Sequence, residues 1–235
     1  MQQNNIHILC TRPLKNAMVK EANAAGICID EISFIKTTPI RTLAVKQQII
    51  DTVLSPATVV FTSMNAVEAV IAHKHNLQTD WNIYCIGTTT NKLVSMYFGA
   101  NSISGTANSA AELADVISAD RFIDNLVFFC GNQRRNELPE ILSKNNIEVK
   151  EIVVYETINE PIKISKEYQG ILFFSPSAVE SFFISNTISK QTILFAIGNT
   201  TAIAIKKHTT NTIIISDAPG KENLVQKMIK YFSAQ

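Results

Sequence analysis

Six short segments have the composition to do chemistry: Thr11-Arg12-Pro13, Thr62 to Asn65, Gly87 to Thr90, Gly131 to Arg135, Ser175 to Ser177 and Gly198 to Thr201. Each follows an apolar run and precedes a stretch with apolar residues at helical spacing. Ser, Thr, Asn and Gly in that setting cap a helix and leave backbone N–H groups facing outward. Such groups meet a carboxylate or a phosphate. Arg12 and Lys15, and further on Arg134 and Arg135, add cations to these segments. The chemistry on offer is the holding of anions.

Other chemistries lack their residues. The chain has no Walker loop, no GxGxxG, no HExxH and no GxSxG elbow. Ser175 precedes Pro176, but none of the six segments contains a histidine, which argues against a serine triad. Cys10, Cys28, Cys85 and Cys130 show no CxxC spacing and read as reduced, buried small hydrophobes. His73 and His75 in AHKHN read as a solvated helix end rather than a metal site. Tyr155, in VVYETI, reads either as a packed interdomain aromatic or as a hydroxyl donor.

The elements that must position these loops are legible from the apolar runs. VVF (59–61), IYCI (83–86), LVFFC (126–130), ILFF (171–174), ILFAI (193–197) and TIIIS (212–216) are β-rich, with helical spacing between them, as at Ala66, Val67, Val70 and Ile71. Alternation of that kind predicts parallel sheets flanked by helices, with ligands taken at the carboxyl ends of the strands.

The pieces recur. FTSMNAVEAV (61–70) matches FFSPSAVESF (173–182) at an offset of 112, and IGTTT (86–90) matches IGNTT (197–201) at 111. ILCTRPLKNAM (8–18) matches FFCGNQRRNEL (128–138) at 120, which also pairs Gly26 with Asn146 as left-handed helix caps. These offsets predict two similar parallel-sheet, flavodoxin-like α/β domains, one inserted in the other. The outer domain is 1–32 plus 162–235 and the inserted one 42–150, with 33–41 and 151–161 as a two-stranded β linker. Capping alone explains any one polar loop, but less well the matching loops of both copies. The functional site is therefore expected in a cleft between the domains, with the turns at Gly87 and Gly198 facing each other across it. There Thr90, Thr201 and the backbone N–H groups would hold carboxylates, glycine allowing close approach.

Composition narrows the setting. The chain of 235 residues is 46% hydrophobic and 17% charged, enough for real cores, and its net charge of +1 gives no global field toward nucleic acid or a membrane surface. The apolar run after MQQNN is too short for a signal peptide, and no apolar stretch reaches spanning length. A cytoplasmic monomer is expected.

Taken in order, the motifs TRP (11–13), FTSMNAVEAV (61–70), IGTTT (86–90), SAAELA (109–114), FFCGNQRRNELPEIL (128–142), VVYET (153–157), FFSPSAVESF (173–182) and FAIGNTTAIAI (195–205) resemble the uroporphyrinogen-III synthase family nearly end to end. The resemblance implies a lyase without a cofactor, acting in tetrapyrrole (heme and siroheme) biosynthesis. Its substrate is hydroxymethylbilane, a linear tetrapyrrole with eight carboxylates. Loss of the terminal hydroxyl gives an azafulvene cation, and ring D inverts through a spiro intermediate before closure. It implies Tyr155 as donor to the departing hydroxyl, and Ser63, Thr90, Ser175, Ser177, Thr200 and Thr201 as substrate-facing positions, beside Arg12, Gly87 and Gly198 of the loops. Asn65 stands where some members have arginine, and Asn199 where others have proline in IGPTT. Transient contact with hydroxymethylbilane synthase would follow. The rival readings are a non-catalytic two-lobed ligand-binding module, which would bind hydroxymethylbilane without changing its cyclisation product, and a degenerate partner protein that docks other pathway enzymes.

Overall fold

The computed structural model describes residues 6–74, 78–218 and 220–234. His75, of the histidine pair noted above, lies outside them. Strands and helices alternate as β1 (Ile6–Cys10), α1 (Asn16–Ala24), β2 (Ile27–Glu31), β3 (Ile35–Pro39), α2 (Leu43–Val53), β4 (Ala57–Phe61), α3 (Met64–Lys74) and β5 (Trp81–Ile86). There follow α4 (Thr88–Phe98), β6 (Ile103–Ala107), α5 (Ala110–Ser118), β7 (Asn125–Gly131), α6 (Glu137–Lys144), β8 (Glu148–Asn159) and β9 (Gly170–Phe173). The chain closes with α7 (Pro176–Ser185), β10 (Ile193–Ala196), α8 (Asn199–Lys206), β11 (Ile213–Ile215) and α9 (Lys221–Ser233). It divides into two compact units, Met1–Lys36 with Ile158–Gln235, and Thr37–Thr157. None of the described helices is long and apolar enough to cross a membrane.

The outer unit holds a five-stranded sheet in the order β11-β10-β9-β1-β2. Its pairings are parallel. This is the doubly wound flavodoxin order, and the winding reverses between β1 and β9. Both faces of such a sheet are covered, so its central strands need no polar alternation. Ile8, Leu9 and Cys10 are all fully buried in consecutive positions. Strand alternation sends Leu9, Ile171 and Phe173 to one face, with Phe182 of α7 and Ile205 of α8. Ile8, Cys10 and Leu172 go to the other, with Met18 of α1 and Leu224 of α9.

The second unit repeats the plan in permuted order. Its six-stranded sheet runs β3-β8-β7-β4-β5-β6, and the winding reverses between β4 and β7. Val59, Phe61, Ile83 and Phe129 face α2, α3 and α4, while Val60, Tyr84 and Phe128 face α5 and α6. Strand β8 is a single 12-residue element. It pairs in parallel with β7 along Glu148 to Tyr155. Both strands through which the chain passes from one unit to the other, β3 and β8, belong to this sheet.

The repeat extends to backbone detail. Gly26, after α1, and Asn146, after α6, both turn left-handed at φ of 76° and 61°. Asparagine is one of the few residues other than glycine that takes this conformation cheaply.

Candidate functional site

In the outer unit three polar loops leave the carboxyl ends of β1, β9 and β10. Thr11 is buried, and both its N–H and its hydroxyl donate to the Leu172 carbonyl, at 3.1 and 2.8 Å. That bond ties β1 to β9 where the winding reverses and projects Arg12 into solvent. Lys221, at the start of α9, donates to the Pro13 carbonyl at 2.9 Å. Burial pushes the Lys221 ammonium below its usual range, and the Arg12 guanidinium nearby pushes the same way. Lys15 is paired with Glu222 at 2.9 Å. Beside this loop, Ser175 heads α7 and its hydroxyl accepts from the Ala178 N–H at 3.2 Å, with Pro176 in the first turn and Ser177 half-buried.

In the second unit the corresponding loops leave β4, β5 and β7. Ser63 heads α3, and its hydroxyl accepts from the Asn65 N–H at 3.2 Å. Asn65 itself is half-buried in the first turn. A cavity of about 390 Å³ opens where the winding reverses, lined among others by Thr62, Asn108, Ser109, Arg135 and Glu137. A crevice at this point is what an open parallel sheet supplies for ligands. Ser109 caps α5 by accepting from the Glu112 N–H, while the Glu112 carboxylate accepts from Asn108. A larger cavity, about 430 Å³, lies at the other end of the outer sheet, beside Lys166, Tyr168 and Thr192 ahead of β9 and β10.

The two glycine-headed turns differ from the serine-headed ones. No side chain caps α4, which follows Gly87, or α8, which follows Gly198. A helix start without a side-chain cap carries partial positive charge at its first turn. The residues these turns expose are Thr88 and Thr89 in one copy and Asn199 and Thr200 in the other. Thr90 and Thr201 correct the expectation of hydroxyls offered to a ligand. They are 6% and 1% exposed, because the third residue of each helix already points at the core. Gly198 differs from Gly87 in its backbone. Its φ of −176° is extended backbone that any residue adopts, whereas Gly87 at 79° sits where a side chain is strained.

Tyr155 lies in β8, half-buried, and packs against the cluster that holds Phe129 and Val154. Its hydroxyl end lies over Gly131, the last residue of β7: a Cβ built on Gly131 would sit 2.8 Å from the phenol oxygen. The hydroxyl is thus at the carboxyl edge of the sheet, the edge from which Thr62, Gly87 and Arg135 also depart.

Arg134 leaves the set of loop cations. It is ion-paired with Glu151 and donates to Asn136 at 2.7 Å. Glu151, first through that hydrogen bond, holds the guanidinium above its usual range. Sequence reasoning missed Lys221 as a loop cation and Asn108 as part of the cavity wall. The Ser109-x-x-Glu112 capping box in ANSAAEL marks Asn108's loop; nothing local marks Lys221, which reaches Pro13 across 208 positions. The thiols are free, with Cys10, Cys85 and Cys130 buried and Cys28 half-buried. Among the described residues no three His, Cys, Asp or Glu side chains are grouped to hold a metal ion.

The family model for Uroporphyrinogen-III synthase HemD matches residues 16–226. A crystal structure of a mutant uroporphyrinogen III synthase from the extremely thermophilic bacterium Thermus thermophilus aligns over 98% of this chain and 100% of its own, at 11% identity and a TM-score of 0.68. The uroporphyrinogen-III synthetase of Helicobacter pylori aligns over 96% and 99%, at 16% identity and 0.66. At such identities the solved structures speak for the shared two-domain α/β fold, and the family match for the family.

Proposed function

The chain belongs to the uroporphyrinogen-III synthase family of cyclising hydro-lyases, and from that premise we propose how its own residues carry the reaction. The observation that supports the reading is the edge the groups share: the Tyr155 hydroxyl lies over Gly131 at the carboxyl end of the second sheet, the end bearing that unit's polar loops.

The substrate, hydroxymethylbilane, carries eight carboxylates on a floppy open chain. Those carboxylates are taken by the uncapped first turns after Gly87 and Gly198, by the hydroxyls of Ser63, Ser175, Ser177 and Thr200, and by Arg12. Asn65, whose N–H is already used, contributes its side-chain amide. Tyr155 gives its proton to the terminal hydroxyl. The carbon–oxygen bond breaks, the electron pair leaves with oxygen as water, and the pyrrole nitrogen supplies electrons to form the azafulvene cation. Ring D attacks the cation through the α carbon that already bears its bridge to ring C, giving the spiro intermediate. That older bridge bond breaks, the freed methylene is captured at the other α carbon of ring D, and the proton lost from that carbon restores the phenol. Net, one water is lost.

Two physical terms dominate. Fixing the open chain in a ring-closing conformation removes entropy before the bond forms, and well-oriented intramolecular reactions gain about 7–11 kcal/mol this way. A proton donor at the leaving group adds roughly 100- to 10,000-fold. Cations stay at the carboxylate-holding loops, because positive charge beside a developing carbocation raises the barrier. In the same reading the chain acts as a cytoplasmic monomer without a cofactor. It meets hydroxymethylbilane synthase transiently, since the free bilane cyclises spontaneously to the type I isomer.

The test is a coupled assay in which hydroxymethylbilane synthase supplies the bilane to the chelated, dialysed protein and the product isomers are separated. Type III product at undiminished rate is expected. Type I product alone, or type III only after a metal is restored, contradicts the proposal.

A further inference from the structure

We infer that Gly131 is a positioning residue for the reaction: its missing side chain is the seat of the Tyr155 ring and sets where the phenol hydroxyl points. The inference rests on the proposal that this hydroxyl is the proton donor. Gly131 is buried at the end of β7, and its φ lies outside the left-handed region, so its backbone does not call for glycine. Space does. A Cβ at this position would lie 2.5 Å from Cε2 of Tyr155, 2.8 Å from its hydroxyl oxygen and nearer still to Cζ, and these are its three nearest heavy atoms. Real Cβ atoms do not approach so closely, so the ring, which also packs against the cluster of Phe129 and Val154, must move.

A second observation points the same way. Register between β7 and β8 advances residue by residue to Cys130 opposite Val153, then shifts so that Gly131 faces Tyr155. Such an irregularity re-aims a side chain and is common beside functional sites. The loop after Gly131 clamps the backbone around the ring. The Asn132 N–H donates to the Tyr155 carbonyl at 3.1 Å, the Asn132 side-chain oxygen accepts from the Thr157 N–H at 2.8 Å, and Gln133 donates to the Thr157 carbonyl at 3.1 Å. The clamp fixes the Tyr155 backbone, and the missing methyl group at Gly131 leaves the ring its place.

The experiment is a cycle of four full-length proteins, wild type, G131A, Y155F and G131A/Y155F, assayed for kcat and KM of type III formation in the coupled reaction. Displacing a donor by about 1 Å costs on the order of 100-fold. G131A should therefore lower kcat about 100-fold with KM within about threefold, and should cost nothing further in the Y155F background. Wild-type kcat in G131A, or a G131A loss that persists undiminished in Y155F, overturns the inference while leaving the donor reading intact. Wild-type kcat in Y155F brings down the donor reading and the inference with it. Should G131A fail to fold, G131A/Y155A, which removes the ring, must recover a cooperative melt; if it does not, something other than Tyr155 demands the glycine and the inference fails.

Discussion

Thr11 donates twice to one acceptor, its N–H and its hydroxyl both reaching the Leu172 carbonyl, and this pair locks the carboxyl end of β1 to β9. The lock stands where the winding of the outer sheet reverses, and Arg12 is the next residue out. Thr11→Val keeps the shape and the N–H bond but loses the hydroxyl bond. It should destabilise the chain by about 1 kcal/mol, read from denaturant midpoints. An unchanged midpoint would show that the hydroxyl bond adds nothing to stability.

The two glycine-headed turns separate fold from ligand. Gly87→Ala places a side chain at a φ of 79° and should cost about 1 kcal/mol of stability whatever it does to the substrate. Gly198→Ala adds a methyl group into open space on extended backbone, so its melting temperature should match wild type. Its KM should rise if substrate approaches that backbone. A Gly198→Ala variant with unchanged KM would remove the turn from the binding surface.

Acid should weaken one identifiable contact. The hydrogen bond from Lys166 holds the Asp30 carboxyl below its usual range, outweighing the burial that raises it, with Tyr168 adding to the lowering. A depressed folded pKa contributes stability that is present above the unfolded value of about 3.9 and is lost as pH falls through the folded one. The pair is about two-fifths exposed, so its worth at neutral pH is about 0.5 kcal/mol. The stability gap between wild type and Asp30→Asn should be open at pH 7 and close below about pH 4. A gap that stays constant down to pH 3 would contradict this.

The thiols should rank by burial. Burial drives the Cys10 thiol up to about 12 and Cys130 up to about 11, so neither forms appreciable thiolate near neutrality. Half-buried Cys28 should be alkylated first by iodoacetamide at pH 8, with Cys10 and Cys130 reacting only on unfolding. Mass spectrometry of the native protein checks the order, and early modification of Cys10 would refute it.

Much of the fold was legible because parallel strands covered on both faces leave unbroken apolar runs, such as Ile8-Leu9-Cys10 and Val59-Val60-Phe61. The offset of 120 even marked Gly26 and Asn146, whose shared left-handed turn is a local property of residue type. The six loops could be found because Ser, Thr, Asn and Gly after a strand have a local meaning. What could not be read was direction and pairing. Thr90 and Thr201 look like their exposed neighbours Thr89 and Thr200, and only the helix phase against its own core turns them inward. Arg134 looked like a loop cation open to a ligand until β8 brought Glu151 beside it. Gly131 looked like a turn glycine, since the ring that needs its space is 24 residues away in sequence.

The most direct test of the account is the product of Tyr155→Phe in the coupled assay, compared with Tyr155→Ala and with the melting temperatures of both. Tyr155→Phe removes the donor and keeps the ring on Gly131. It should melt as wild type and bind a substrate analogue, yet form the type III isomer at least about 100-fold more slowly, so that spontaneous type I product dominates. A Tyr155→Phe protein with wild-type type III turnover, and impairment only in Tyr155→Ala, would leave Tyr155 as packing and contradict the account.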